Sequence, residues 1–93
     1  AVFGEACIVN TGAIVEHDCR LGDNVHLSVN AALCGEVAVG DHCLIGAGAT
    51  VVPGVRIAGG SIIGAGAVVA SDIREAGTYL GSPAVRRGEG MRS

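Results

Sequence analysis

A six-residue ladder of large apolar side chains restricts this chain to very few folds. Phe3, Val9, Val15, Leu21, Leu27, Leu33, Val39, Ile45, Val51, Ile57, Ile63 and Val69 follow one another at constant spacing with no insertion. Four places after each stands a second series: Cys7, Ala13, Cys19, Val25, Ala31, Val37, Cys43, Ala49, Val55, Ser61, Ala67 and Ile73. Every member of that series except Ile73 is Ser, Ala, Cys or Val. A helix repeats near 3.6 residues and a flat strand near 2, so neither produces this pattern. A strict hexad is the mark of a parallel β-helix, in which each hexad is a short strand and a corner. The large residue then fills the inside of the coil, and the small one fits where two faces converge. Glycines spaced by eighteen (Gly4, Gly22 and Gly40; Gly46 and Gly64; Gly48 and Gly66) predict three hexads per coil, with glycine supplying the corner dihedrals. The expected architecture is all-β: about four three-sided coils over residues 1–74, then an irregular tail over 75–93.

The first coil starts almost at residue 1, without an initiator Met or a capping segment. An uncapped coil exposes backbone groups that invite pairing, so the expectation is a piece of a longer protein or an edge covered by a partner. One Tyr, one Phe, no Trp and a net charge of −3 argue against nucleic acid, which calls for stacking platforms and positive charge. No run of eighteen apolar residues is present, so no membrane span is expected. Cys7, Cys19 and Cys43 all occupy the small core position, where a free thiol behaves as a small apolar group. Without a C-x-x-C pair a zinc knuckle is disfavoured. Cys34 follows Leu33 and is expected to face outward, as a nucleophile only if a base adjoins it. Reduced thiols point to the cytoplasm.

Histidines and arginines carry the candidate chemistry. His17 and Asp18 fall on the third and fourth places of the hexad Val15–Arg20. In a straight strand neighbouring side chains point to opposite faces, whereas at a corner they can converge. Asp18 is therefore placed to hold the His17 imidazole and stabilise its protonated form. His26 stands nine residues later, half a coil away, so the two rings meet only if separate prisms pack side by side, as around a three-fold axis. His42 is read as a solvated corner. Three histidines raise the possibility of a zinc site, but spacings of nine and sixteen put no two of them in one column. Four of the six arginines (Arg74, Arg86, Arg87 and Arg92) lie in the last twenty residues, a local positive patch suited to phosphate.

The segment Asn10-Thr11-Gly12-Ala13-Ile14-Val15-Glu16-His17-Asp18-Cys19, followed by His26-Leu27-Ser28-Val29, resembles the left-handed β-helix acyltransferases of the sialic acid O-acetyltransferase and UDP-amino-sugar N-acetyltransferase group. Gly81-Ser82-Pro83-Ala84 is similar to that family's G-x-P-A ending. The resemblance implies a left-handed parallel β-helix of hexapeptide repeats, a homotrimer with active sites between subunits, and acetyl-CoA as co-substrate. It implies His17 as general base and Asp18 as the acid that polarises it. His26 would come from the neighbouring subunit to the thioester end of acetyl-CoA, whose backbone contacts would fall near Gly35, Ala47 and Ala65, with Arg86 and Arg87 for its phosphates. The acceptor would be an amine or hydroxyl of a sugar or nucleotide-sugar. Two departures stand out: the family's N-terminal nucleotide-sugar-binding domain is absent from this sequence, and Val85 occupies the place after G-x-P-A where a basic residue is common. Two other readings are a non-catalytic trimeric scaffold and a metal-dependent hydratase on the same fold.

Overall fold

The computed structural model describes residues 1–87, so Arg92 of the tail lies outside the described residues. Each hexad forms one two-residue strand, and the strands stack into three parallel faces. Face one holds β1 (Val2–Phe3), β4 (Arg20–Leu21), β7 (Ala38–Val39) and β10 (Arg56–Ile57). Face two begins with β2 (Ile8–Val9), β5 (His26–Leu27), β8 (Leu44–Ile45) and β11 (Ile62–Ile63). Face three holds β3 (Ile14–Val15), β6 (Ala32–Leu33), β9 (Thr50–Val51) and β12 (Val68–Val69). Pairs such as Val2↔Arg20, Ile8↔His26 and Ile14↔Ala32 give the eighteen-residue coil directly. The expected β-helix of about four coils is the fold.

The second residue of each strand points inward. From Leu21 to Val69 these residues are buried, with Leu27, Leu33, Ile45, Val51 and Ile63 at 0% exposure. Each such side chain contributes about 1.5–3 kcal/mol by leaving water. In the first coil Phe3 and Val9 keep 44% and 47% exposure, because only one neighbouring coil packs on them. The small series lines the corners as expected. Its polar members donate to carbonyls there: Ser61 Oγ to Ala58 O at 2.7 Å, Cys19 Sγ to Cys34 O at 3.1 Å, Cys43 Sγ to Ala58 O at 3.3 Å. No disulfide forms among the described residues.

Every sixth residue from Ala6 to Gly66 has a positive φ, which turns the corner. Six of these positions hold Ala6, Asp18, Asn24, Asn30, Glu36 and His42 rather than glycine, a conformation that costs an L-residue about 1–2 kcal/mol. The glycine columns therefore divide. Gly48 and Gly66 supply the dihedral, as expected. Gly22 and its equivalents instead permit close stacking. A Cβ on Gly22 would collide with Asp41 Oδ1 and come within 2.9 Å of Asp41 N. That closeness lets Asp41 Oδ1 accept from Asp23 N at 2.7 Å, while Asp23 Oδ1 accepts from Glu5 N at 2.8 Å.

The eighteen-residue step is lost after β12, yet the chain stays on the prism. Ile73 bridges to Ile57 with a sixteen-residue step. β13 (Thr78–Leu80) then stacks on β11 with the same shortened step, burying Tyr79, whose hydroxyl donates to Glu75 O at 2.7 Å. β14 (Val85–Arg86) pairs back antiparallel on β13 and closes face two.

Candidate active site

His17 lies on the corner between faces three and one. Its Nδ1 is 3.2 Å from Asp18 Oδ2, and both side chains are exposed. The convergence expected of corner neighbours is present, helped by the positive φ of Asp18 (61°). One coil below, in the same column, is Gly35. A Cβ there would come within 2.8 Å of His17 Nε2, so the ring lies over a bare backbone. The acid thus holds one ring nitrogen while the other faces the surface above Gly35.

Backbone donors distinguish the three corners. Between faces one and two, the outward N–H groups of Glu5 and Asp23 are taken by the aspartate ladder. At the other two corners the equivalent N–H groups of Gly35, Ala47 and Ala65 make no hydrogen bond among the described residues. Ala47 and Ala65 are exposed, one above the other; Gly35 is half-buried under His17. These are surface donors available to an extended ligand.

His26 is half-buried on β5, with Ile8 above and Leu44 below it on face two. In a three-sided prism the corner carrying His17 is the one opposite face two, so a single chain does not bring the two rings together. The outward column of face two is largely apolar: Ile8, Leu44 and Ile62 are 51%, 36% and 43% exposed. Face one instead carries Arg20 and Arg56, which line a groove of about 390 Å³ with Asp18 and Glu36.

Arg86 and Arg87 are exposed on the closing hairpin. Arg86 is engaged within the chain, donating to Glu75 Oε1 and Ala76 O at 3.0 Å each. Its partner across the chain was not foreseeable from spacing, because the 75–87 segment leaves the hexad. His42 is an exposed corner residue. Among the described residues no cluster of three or more His, Cys, Asp or Glu could hold a metal. Cys34 is half-buried and its thiol has no hydrogen-bonded base among the described residues. Burial pushes the Cys43 thiol above its ordinary value. Sequence reasoning missed the part played by Asn10, whose Nδ2 lies 2.8 Å from His26 Nε2. The signal was its place two residues short of a full coil before His26.

Residues 36–71 match the bacterial transferase hexapeptide family (six repeats). A histidine-to-asparagine variant of perosamine N-acetyltransferase from Caulobacter crescentus, solved with CoA and GDP-perosamine, superposes with a TM-score of 0.92 at 45% identity, over 94% of this chain and 41% of that one. The chain belongs to the bacterial hexapeptide-repeat transferases. A histidine-to-alanine variant of the same Caulobacter enzyme, also with CoA and GDP-perosamine, gives 0.91 at 42% identity over 96% of this chain and 45% of that one. The serine acetyltransferase of Neisseria gonorrhoeae gives 0.88 at 27% identity, over 99% of this chain and 39% of that one. This hexapeptide-repeat chain therefore spans less than half the length of these relatives. Comparison with curated protein sequences finds no match.

Proposed function

We propose that this chain is the β-helix of an acetyl-CoA-dependent acetyltransferase acting on the amine of a nucleotide-linked sugar, with His17 as general base. The observation that carries the proposal is the His17–Asp18 pair held over Gly35 on an otherwise repetitive surface. The two perosamine N-acetyltransferase structures support it, since both hold CoA and a nucleotide amino sugar with a histidine replaced.

The acceptor nitrogen attacks the thioester carbonyl carbon directly, and no acyl-enzyme forms. His17 Nε2 takes the proton from the attacking nitrogen, and Asp18 at Nδ1 stabilises the imidazolium. The carbonyl oxygen becomes an oxyanion, which the Gly35 N–H is placed to bind. Collapse breaks the carbon–sulfur bond, and the proton on His17 passes to the departing sulfur. The products are the N-acetylated sugar and coenzyme A. The pantetheine arm runs down the axis past the N–H groups of Ala47 and Ala65, and the phosphates reach the Arg86–Arg87 hairpin.

The active protein is a homotrimer. Apolar face two packs against a neighbour and carries His26 into the neighbour's His17 cleft, which a single chain leaves incomplete. The scaffold reading shares this assembly and differs in lacking turnover. Labelled acetyl-CoA incubated with nucleotide-linked amino sugars tests the proposal. Label transferred to the sugar amine is expected from a particle of trimeric mass by light scattering. A monomer, or coenzyme A bound without transfer to any acceptor, would reject it.

A further inference from the structure

Asn10 follows β2, one coil above β5, and has more to do than close a turn. Its backbone N–H and its side-chain Nδ2 both donate to Leu27 O, at 3.0 and 3.3 Å. This pins the amide, because turning it over would set Oδ1 against a carbonyl oxygen, acceptor to acceptor. The same Nδ2 is 2.8 Å from His26 Nε2. An amide nitrogen only donates, so Nε2 accepts, and in the neutral ring the single proton resides on Nδ1.

We infer that Asn10 is a positioning residue: it fixes His26 as the Nδ1–H tautomer and so presents an N–H donor to the thioester carbonyl oxygen in the adjoining subunit's cleft. This rests on the acetyl-transfer reading above and adds a second donor to the Gly35 N–H. The ring leaves face two between Ile8 and Leu44, so apolar rungs flank the donor on both sides. Nδ1 makes no hydrogen bond among the described residues. A donor aimed at developing negative charge in such surroundings acts more strongly than one in water. Without Asn10 the ring is released to the opposite tautomer, which turns a lone pair toward the oxyanion.

The tautomer can be read without substrate. In nitrogen-15-labelled wild-type protein, at a pH where the imidazole is neutral, long-range proton–nitrogen correlations should show His26 Nδ1 protonated and Nε2 bare. Asn10→Leu should shift the population toward protonated Nε2. It should also lower kcat by about tenfold to 10², up to the loss of one oxyanion donor, with the KM for acetyl-CoA changed less than about twofold. Protonated Nε2 in the wild type would overturn the inference, and so would full kcat in Asn10→Leu. Wild-type protein with the expected tautomer but no acetyl transfer would overturn the donor role and the acetyl-transfer reading together. A wrong tautomer with transfer intact would leave that reading standing.

Discussion

Gly46→Ala and Gly54→Ala are the same substitution in one β-helix, yet the first should cost clearly more than the second. A Cβ on Gly46 would lie 2.7 Å from Ala65 N, 2.7 Å from Ile63 O and 2.8 Å from Gly64 C. All three are backbone atoms of the next coil, held by Gly46 N→Ile63 O at 2.8 Å and Gly66 N→Ala47 O at 2.8 Å. No flexible side chain is there to move aside, so two coils must separate and stretch their ladder. Overpacking of this kind costs about 1–3 kcal/mol or more, and each weakened ladder bond adds about 1 kcal/mol. Gly54 has a φ of +81° but nothing within 4 Å of its Cβ position. Its substitution costs only the left-handed strain, about 1–2 kcal/mol, which Ala6 already bears at 58°. A loss of 1 kcal/mol lowers Tm by about 4–8 °C in a domain of this size. Thermal unfolding followed by circular dichroism, at one protein concentration, should therefore place Gly54→Ala about 5–10 °C below wild type and Gly46→Ala at least about 12 °C below. Equal shifts, or Gly46→Ala within about 2 °C of wild type, would refute the close-stacking argument.

Two further outcomes follow from the tail and the thiols. Replacing Arg86 and Arg87 together with Ala should weaken coenzyme A binding by calorimetry, most at low salt, where exposed charges are least screened. Arg86 is already bonded to Glu75 and Ala76, so Arg87→Ala alone should reproduce most of the loss; unchanged low-salt affinity in the double variant would reject the phosphate role. Burial raises the Cys43 thiol above 9.0, so the folded state keeps a proton that the unfolded chain releases. Stability is then undiminished below that value and falls as pH rises past it, and Cys43→Val should flatten the fall in urea midpoint between about pH 8 and about pH 10.

The sequence announced the fold because the period is carried by side-chain size alone. Leu27, Leu33 and Ile45 must be inside if the hexad is real, and nothing else in the chain competes with that. The His17–Asp18 contact was legible for the same reason: once the corners are known, two adjacent polar residues at a corner can converge. What depended on contacts between coils was not legible. The aspartate ladder through Asp23 and Asp41 exists only because Gly4 and Gly22 let the coils approach, and spacing alone suggested dihedral freedom for those glycines. The Asn10–His26 bond spans sixteen residues and relies on both the turn after β2 and a rotamer of Asn10. Beyond Asp72 the period breaks, so neither the burial of Tyr79 nor the Arg86–Glu75 pair had a pattern to reveal it. The backbone donors at Ala47 and Ala65 stand out only when compared with the corner where aspartates cover the equivalent groups.

The measurement that bears most directly on the proposed chemistry is the turnover of His17→Ala on an acceptor the wild type acetylates. His17 is an exposed corner residue, so the variant should keep the trimer and its coenzyme A affinity. Its kcat should fall by about 10² to 10⁴, the contribution of a positioned base. Full activity in His17→Ala would contradict the account whatever the fold.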